Sequence, residues 1–517
     1  MKELIYHRML IPSVERNHDR LGFVDGAYRA TFAQHIDRVG RLCAALRGLR
    51  VGRNDRFAVM ALNSHAFLEL YDAAFLGAGV INPLNLRLAP KELAYILADS
   101  GSRVCFTDAP FAGVIDAVRE EAGIEQVVLI GEGDVPHDVR LEDLLAAARP
   151  TIPDEPKEED PVILMYTGGT TGLPKGVLLD QRAEMLNLYH VSTAFRFVED
   201  DVFLHQTPMF HAASMGGLLG APAVGARSVF LPLFEPAAVL DLIEAEAVTM
   251  TVMVPTMIGI VLAQPTFRPE RLRTLTKLVY GASPMPVALL ERLLAMFPDL
   301  ALYQGYGMTE ASAVLTALGP EEHRRGGALL RSAGRPLPGV VLSIQDSEGR
   351  MLPTGETGEV CARAGNFMRE YWNQPEATSE AFRGDWYHSG DAGYLDERGY
   401  LFLVDRVKDM IVTGGENVYS VEVENAIASH PAIAQVAVIG IPHDVWGEAV
   451  HAIVVLRPGA TVTEVEIIAH ARASIAGYKL PKSVEVRAEP LPLSGALKVL
   501  KRDLRRPYWE GRGRGVN

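Results

Sequence analysis

The run Tyr166-Thr167-Gly168-Gly169-Thr170-Thr171-Gly172-Leu173-Pro174-Lys175-Gly176 puts turn glycines, threonine hydroxyls and one lysine into a single stretch. Glycines let backbone N–H groups approach a ligand closely, Thr167, Thr170 and Thr171 donate hydroxyl hydrogen bonds, and Lys175 adds charge. That is the equipment for holding a chain of phosphates. The usual spacing G-x-x-x-x-G-K-[ST] is not met, because Pro174 intervenes and no hydroxyl follows Lys175. The run reads as a different kind of triphosphate loop.

Further polar motifs follow in order: Tyr306-Gly307-Met308-Thr309-Glu310, Tyr387-His388-Ser389-Gly390-Asp391, Asp405-Arg406-Val407-Lys408-Asp409 and Gly414-Gly415-Glu416-Asn417. Lys498 closes the series within Leu491-Pro492-Leu493-Ser494-Gly495-Ala496-Leu497-Lys498-Val499-Leu500-Lys501. Together with the first loop, and over nearly the whole chain, these resemble the adenylate-forming family of acyl-CoA synthetases, non-ribosomal adenylation domains and beetle luciferases. The resemblance implies that a carboxylate attacks the α-phosphorus of ATP, giving acyl-AMP and pyrophosphate, and that the thiol of coenzyme A then takes the acyl group. Cations and dipoles must offset the repulsion between the two anions.

By the same resemblance, residues 167 to 175 wrap the β- and γ-phosphates, Thr309 touches the α-phosphate and Glu310 helps to hold Mg²⁺. Adenine lies beside Tyr306 and against the Gly281-Ala282-Ser283 turn, with Gly305, Gly307 and Met308 in the same nucleotide site. Glycines flanking Tyr306 are expected to expose its ring face; a plain core aromatic is the other reading. Asp391 binds the ribose diol, and Arg406 adds a ribose or phosphate contact, whereas Asp405 beside it reads equally as structural. Lys498 bridges carboxylate and α-phosphate, with Lys501 and Lys479 as nearby alternatives. Many family members carry glycine just before this lysine, and this chain has Leu497, which disfavours positive φ.

The resemblance further implies a swing of the C-terminal domain about Lys408, Gly414-Gly415 as the wall past which pantetheine slides, and a coenzyme A nucleotide held by Trp446, Tyr478 and Lys482. A core role is the other reading of Trp446. His211 falls at the acyl-pocket mouth, with Ala212, Ala213, Ser214, Met215, Gly216, Gly281, Ala282, Gly305, Met308 and Ala313 as wall candidates. These are small or apolar and include no cation for a second carboxylate, so a roomy hydrophobic pocket is expected. A medium-to-long fatty acid, or a bulky alicyclic or aromatic monocarboxylic acid, fits it better than acetate or malonate. Loading of a separate carrier protein, or silent binding of nucleotide or acyl-CoA, are the competing readings.

These residues need elements to position them. At 517 residues and 48% hydrophobic, the chain exceeds what one core holds. Apolar strands alternate with helices: Phe57 to Leu62, His65 to Leu76, Gly79 to Asn82 and Val104 to Thr107, then Val162 to Tyr166 delivering the loop. Strands at Ser228 to Leu231, Thr249 to Val254 and Lys277 to Tyr280 continue the pattern, which means βαβ units and parallel sheets. From about 334, shorter glycine-rich strands (Val340 to Gln345, Gly358 to Arg363, Tyr400 to Val404) suggest a small antiparallel lobe. Beyond Asp405 helix and strand alternate again.

The expected fold is therefore multi-domain α/β. Residues 1–407 form a large body of two doubly wound lobes and a small distorted β-barrel lobe, and 408–517 form a small mobile α+β domain hinged near Lys408. A formal net charge of −14 argues against a nucleic-acid surface. Cys43, Cys105 and Cys361 have neither disulfide nor zinc spacing, consistent with the cytoplasm. No signal-peptide run opens the chain. The charge-free stretch Val202 to Ala226 is broken by Pro208, Pro222, His205 and His211, so it reads as a buried tunnel wall and no transmembrane helix is expected. Peripheral contact with a lipid surface stays open, as does the choice between monomer and homodimer.

Overall fold

Val162, Ile163, Leu164 and Met165 are consecutive and almost wholly buried, the signature of a strand covered on both faces. In the computed structural model, which describes residues 3–167, 174–406, 409–413, 416–495 and 497–510 (backbone only at 406 and 417), this strand, Pro161–Thr167, sits inside an eight-stranded sheet. Its order is Glu370–Tyr371, Lys175–Asp180, Pro161–Thr167, Val80–Pro83, Arg56–Met60, Val104–Asp108, Gln126–Ile130 and Val139–Arg140. From Pro161–Thr167 onward all neighbours are parallel. The helix His65–Ala73, capped by Ser64, is internal: Ala66 to Ala73 are all buried, and its two acids are paired, Glu69 with Arg38 and Asp72 with His35. It is shorter than the sequence suggests, passing after Ala73 into a π-turn with Gly77 at φ 96°.

A second, nine-stranded sheet has a parallel centre formed by Ala301–Tyr306, Lys277–Gly281, Met250–Met253, Val202–His205 and Arg227–Phe230. Its edge comes from the N-terminus, which the motifs left unassigned: Leu21–Asp25 pairs parallel with Arg227–Phe230, Phe23 opposite Ser228, and Tyr28–Thr31 lies outside it. The charge-free stretch divides into the strand Val202–His205, a short turn at Ala212–Ser214 and the ten-residue helix Met215–Val224. Among the described residues no helix is long and apolar enough to cross a membrane.

The glycine-rich segment forms an antiparallel five-stranded sheet in which Trp386–Leu395 pairs with both Gly358–Arg363 and Leu401–Arg406. The last sheet, also five-stranded, centres on the long hairpin Ile433–His443 and Gly447–Leu456, with Ser483–Arg487 parallel to the second arm. The helices Ser420–Ala428 and Glu464–Arg472 contribute Val423, Ile427, Ile467 and Ala471 to its core.

Candidate functional site

A cavity of about 3250 Å³ opens where the two large sheets, the antiparallel sheet and the C-terminal segment meet. Thr167 and Lys175 reach it from one hairpin, where they face each other as the last pair before the loop. The loop thus joins two antiparallel strands rather than a strand to a helix, which explains why its spacing departs from the usual phosphate loop. Gly168, Gly169, Thr170, Thr171 and Gly172 lie outside the described residues, as do Lys408, Gly414, Gly415 and the Arg406 side chain.

Lys175 Nζ stands 4.8 Å above the Tyr371 ring. Tyr371 in turn donates its hydroxyl to Glu310 Oε1 at 2.8 Å, and burial together with that carboxylate pushes the phenol well above its ordinary range. Glu310 and Thr309 share one short turn, Thr309–Ala311, and both line the cavity. Tyr371 carried no sequence signal, because the short strand that supplies it follows no polar motif.

Gly281, Ala282, Ser283, Gly305, Tyr306, Gly307 and Met308 also reach the cavity, at the ends of adjacent parallel strands. Gly281 and Gly307 answer to backbone proximity rather than to ring exposure. A Cβ on Gly281 would lie 2.3 Å from the Gly305 carbonyl oxygen, and one on Gly307 would lie 2.1 Å from that of Ala313. Tyr306 itself is only 8% exposed, packed near Ala333, Ile344 and Val360, and its hydroxyl donates to Asp391 Oδ2 at 2.8 Å. It is therefore both a core ring and a wall of the cavity. Asp391 sits opposite Arg406 in the strand pair, and the buried Asp405 accepts from the Ser420 backbone N–H, a structural bond.

Behind Asp391, Glu359 Oε2 lies 2.8 Å from His388 Nδ1, and Cys361 Sγ 3.4 Å from the same nitrogen. Three ligand types converge there, but the Arg383 guanidinium, 2.8 Å from His388 Nδ1, already supplies the cation. The cluster pins the strand that carries Asp391.

Lys498 enters the cavity from a tight hairpin in which Ser494 N–H donates to Lys498 O at 2.7 Å and Leu493 bridges Val499. The large body grips this hairpin: Arg87 Nη1 donates to the carbonyls of Leu493 and Ser494 at 3.0 and 3.2 Å. Leu497 does adopt the left-handed backbone that its side chain disfavours, at φ 58°. The alternative lysines are committed elsewhere. Lys501 Nζ bonds Ser420 Oγ and pairs with Glu424 at 2.6 Å, and Lys479 pairs with Glu422 at 2.7 Å.

His211 lies on the same wall, and its Nδ1 accepts from the Ala213 N–H at 3.1 Å, which leaves the ring proton on Nε2. Burial first, and the Lys498 charge second, push this imidazole down to about 3, so it is neutral at pH 7. Ala212, Ala213, Gly216 and Ala313 line the cavity as expected. Ser214 and Met215 do not: Ser214 turns inward to donate to His211 O at 2.7 Å, and Met215 is buried in the core. Their place is taken by Val191, Phe195, Phe197, Phe210 and Val314, which motif reading missed because apolar residues on and after the helix Gln181–Phe195 look like ordinary core.

Trp446 is 38% exposed and lies at the cavity edge, so it is no core residue. His443 stacks on it at 4.1 Å and Lys482 Nζ stands 5.0 Å from its ring. Tyr478 is exposed too, but neither it nor Lys482 lines the cavity.

A second neutral histidine tests the electrostatics. His205 is buried against Phe230 with a partnerless Nε2 among the described residues, and burial pushes it down to about 3 from 6.5. A folded-state value below the unfolded one means stability that is complete above pH ~6.5 and drains as acid protonates the unfolded chain. Between pH 6.5 and 4.5 this group alone should cost about 2 kcal/mol. His205→Phe, which keeps the stacking, should lose that much less over the same interval; parallel urea titrations at the two pH values measure it, and identical losses would contradict the burial argument.

Two family models match the chain, "AMP-binding enzyme" over residues 12–372 and "AMP-binding enzyme C-terminal domain" over 422–498. A feruloyl-CoA synthase of Amycolatopsis sp is 38% identical over 486 residues, covering 93% of this chain and 95% of the relative. A fatty acid–[acyl-carrier-protein] ligase of Streptomyces coeruleorubidus is 36% identical over 494 residues, covering 94% and 93%. The solved structure of an anthranilate CoA ligase in complex with anthranoyl-AMP superposes with a TM-score of 0.91 at 26% identity, covering 98% of this chain and 97% of that one. With a family model spanning most of its length and a cavity built from that family's motifs, the chain belongs to the AMP-binding, adenylate-forming enzymes.

Proposed function

We propose that the protein is an ATP-dependent acyl-CoA synthetase that activates a hydrophobic monocarboxylic acid as its acyl-AMP and passes the acyl group to coenzyme A. The observation that carries this reading is the convergence of Lys498, His211, Thr167, Lys175 and Asp391 on one cavity with an uncharged wall of Val191, Phe195, Phe197, Phe210 and Val314. A carboxylate lodged there is already ionised at pH 7, with an ordinary pKa near ~4, so no general base is required. Its oxygen attacks the α-phosphorus in line, forming the new P–O bond as the bond to pyrophosphate breaks. Lys498 lies where its charge can offset both anions as they meet. His211, neutral and protonated on Nε2, can donate one hydrogen bond to the carboxylate without adding charge.

Asp391, held by the Tyr306 hydroxyl at the cavity, is a short acceptor carboxylate of the kind that suits a vicinal diol. Glu310 has a fixed carboxylate at the cavity, with Oε1 engaged by Tyr371, a hard oxygen donor of the kind Mg²⁺ takes. When bound, Mg²⁺ would neutralise charge on the phosphates. Lys175, held over Tyr371 beside Glu310, would add its charge to the same region. In the thioester step Trp446, with Lys482 beside it, offers a stacking surface for a nucleotide at the cavity edge. The division into 1–407 and 408–517, the hinge at Lys408 and the passage along Gly414-Gly415 complete this reading, and the three buried free cysteines are consistent with a reducing cytoplasm. The similarity to a carrier-protein ligase favours one second reading, transfer to a carrier thiol in place of free coenzyme A.

Pyrophosphate release across a panel of carboxylic acids, with and without coenzyme A, followed by product mass, tests the proposal. Each buried methylene contributes about 0.8 kcal/mol, so kcat/KM should climb several-fold per added carbon until the pocket is full. A panel led by acetate or malonate would refute the hydrophobic-acid reading, and adenylation without any coenzyme A thioester would shift it to the carrier thiol.

A further inference from the structure

Leu497 holds a left-handed backbone at φ 58°. An L-residue with a bulky side chain pays steric strain there, and leucine has no polar group with which to recover it locally. The strain persists only if surrounding contacts over-determine it. Those contacts belong to the other body. The Leu497 side chain packs against the apolar cluster of the nine-stranded sheet, which includes Met257, Tyr280, Met285 and Leu290, and not against the clusters of its own C-terminal segment. On either side of it, Arg87 holds the carbonyls of Leu493 and Ser494, and Lys498 projects into the cavity.

We propose that Leu497 is a positioning residue: an apolar anchor that offsets a strained backbone by burial against the large body, and so keeps the neighbouring Lys498 in the cavity during adenylation. The side chain and the lysine follow one another in sequence, so undocking one withdraws the other. The anchor also weights the position of the C-terminal segment toward the docked arrangement, at the expense of whatever arrangement serves the thioester step. This last consequence rests on the two-step function proposed above; the docking itself does not.

Two measurements separate the claims. The first reads docking without turnover. Gly495 approaches Asn85 so closely that a Cβ on it would lie 2.4 Å from Asn85 Oδ1, so the pair Asn85→Cys and Gly495→Cys should form a disulfide under mild oxidant. The native cysteines are all buried and should not compete. Adding Leu497→Ala should slow cross-linking roughly fivefold to tenfold, the population shift expected on losing a partly buried leucine, and adding Leu497→Met should restore it. Cross-linking at the same rate in the Ala and Leu backgrounds would overturn the proposal.

The second measurement reads the half-reactions in the chain with its native Asn85 and Gly495. Leu497→Ala should lower single-turnover pyrophosphate release by the same roughly fivefold to tenfold factor, with little change in KM for ATP, while thioester formation from supplied acyl-AMP and coenzyme A is undiminished. Leu497→Gly, which removes strain and anchor together, should fall between Ala and the parent. Equal loss of both half-reactions, unrescued by Met, would mark a folding defect and overturn the positioning role. A parent protein that adenylates no acid would sink the function proposed above and leave the cross-linking result to stand by itself.

Discussion

Lys498→Ala should release pyrophosphate some 10²–10³ times more slowly than the parent, yet still convert supplied acyl-AMP and coenzyme A to thioester. The size of the effect follows from what else is near. His211 is held neutral, partly by Lys498 itself, and Lys175 is engaged over the Tyr371 ring beside Glu310. Lys501 and Lys479 cannot substitute, because each is paired with a glutamate of the helix Ser420–Ala428, and moving Lys501 would leave the half-buried Glu424 without its cation. A rapid-quench experiment that follows both products decides the matter. Unimpaired adenylation, or parallel loss of both steps, would mean that the lysine acts elsewhere. Lys501→Ala is the contrast: it should depress both half-reactions together with stability, since it leaves the half-buried Glu424 without its cation, held only by the Val438 backbone N–H among the described residues.

An equally large loss is expected from the smallest possible substitution, Gly281→Ala. Its new methyl carbon would lie 2.3 Å from a backbone carbonyl oxygen of the neighbouring parallel strand, a contact that no side-chain rotation relieves. The strand ends must part, and with them the wall formed by residues 281–283 and 305–308. Adenylation should fall by more than ~10²-fold, as ångström-scale misplacement of bound reactants allows, and overpacking strain of about 1–3 kcal/mol should lower the melting temperature. Gly113→Ala is the control. It lies within the helix Ala109–Ala122 where a Cβ meets nothing, so it should be fully active and slightly more stable. A fully active Gly281→Ala would mean that the two strands separate freely.

The parallel sheets were legible because buried strands such as Val162 to Met165 are continuous apolar runs bounded by turn residues. The polar side of the cavity was legible because its residues come in local motifs. The apolar wall was not. Five consecutive residues from Ala212 to Gly216 cannot share one face of a helical turn, where successive side chains rotate by about 100°, so Ser214 and Met215 point away while Ala212, Ala213 and Gly216 stay. Phe195 reaches the cavity from the end of a long helix, a position that periodicity alone assigns to core. The cause expected for Gly307, exposure of the Tyr306 ring, is not the one found: a Cβ there would meet the Ala313 carbonyl on the chain's return six residues on, and Gly281 is required by the Gly305 carbonyl of the neighbouring strand, which no local pattern reveals. Likewise Leu497 stood out as a residue type ill suited to positive φ, but only packing against a different body shows what holds it there.

The N-terminal strand Leu21–Asp25 has no partner on its parallel side until Arg227–Phe230 exists, because Phe23 registers with Ser228. At translation rates of about 5–20 residues per second, the nascent chain carries that unpaired edge for roughly 10–40 s. During this interval Phe23 and Val24, fully covered in the finished molecule, have no sheet to enter. This strand thus stays unsatisfied until Arg227–Phe230 has been made, and the yield of active enzyme should depend on how well the cell shields that hairpin in the meantime.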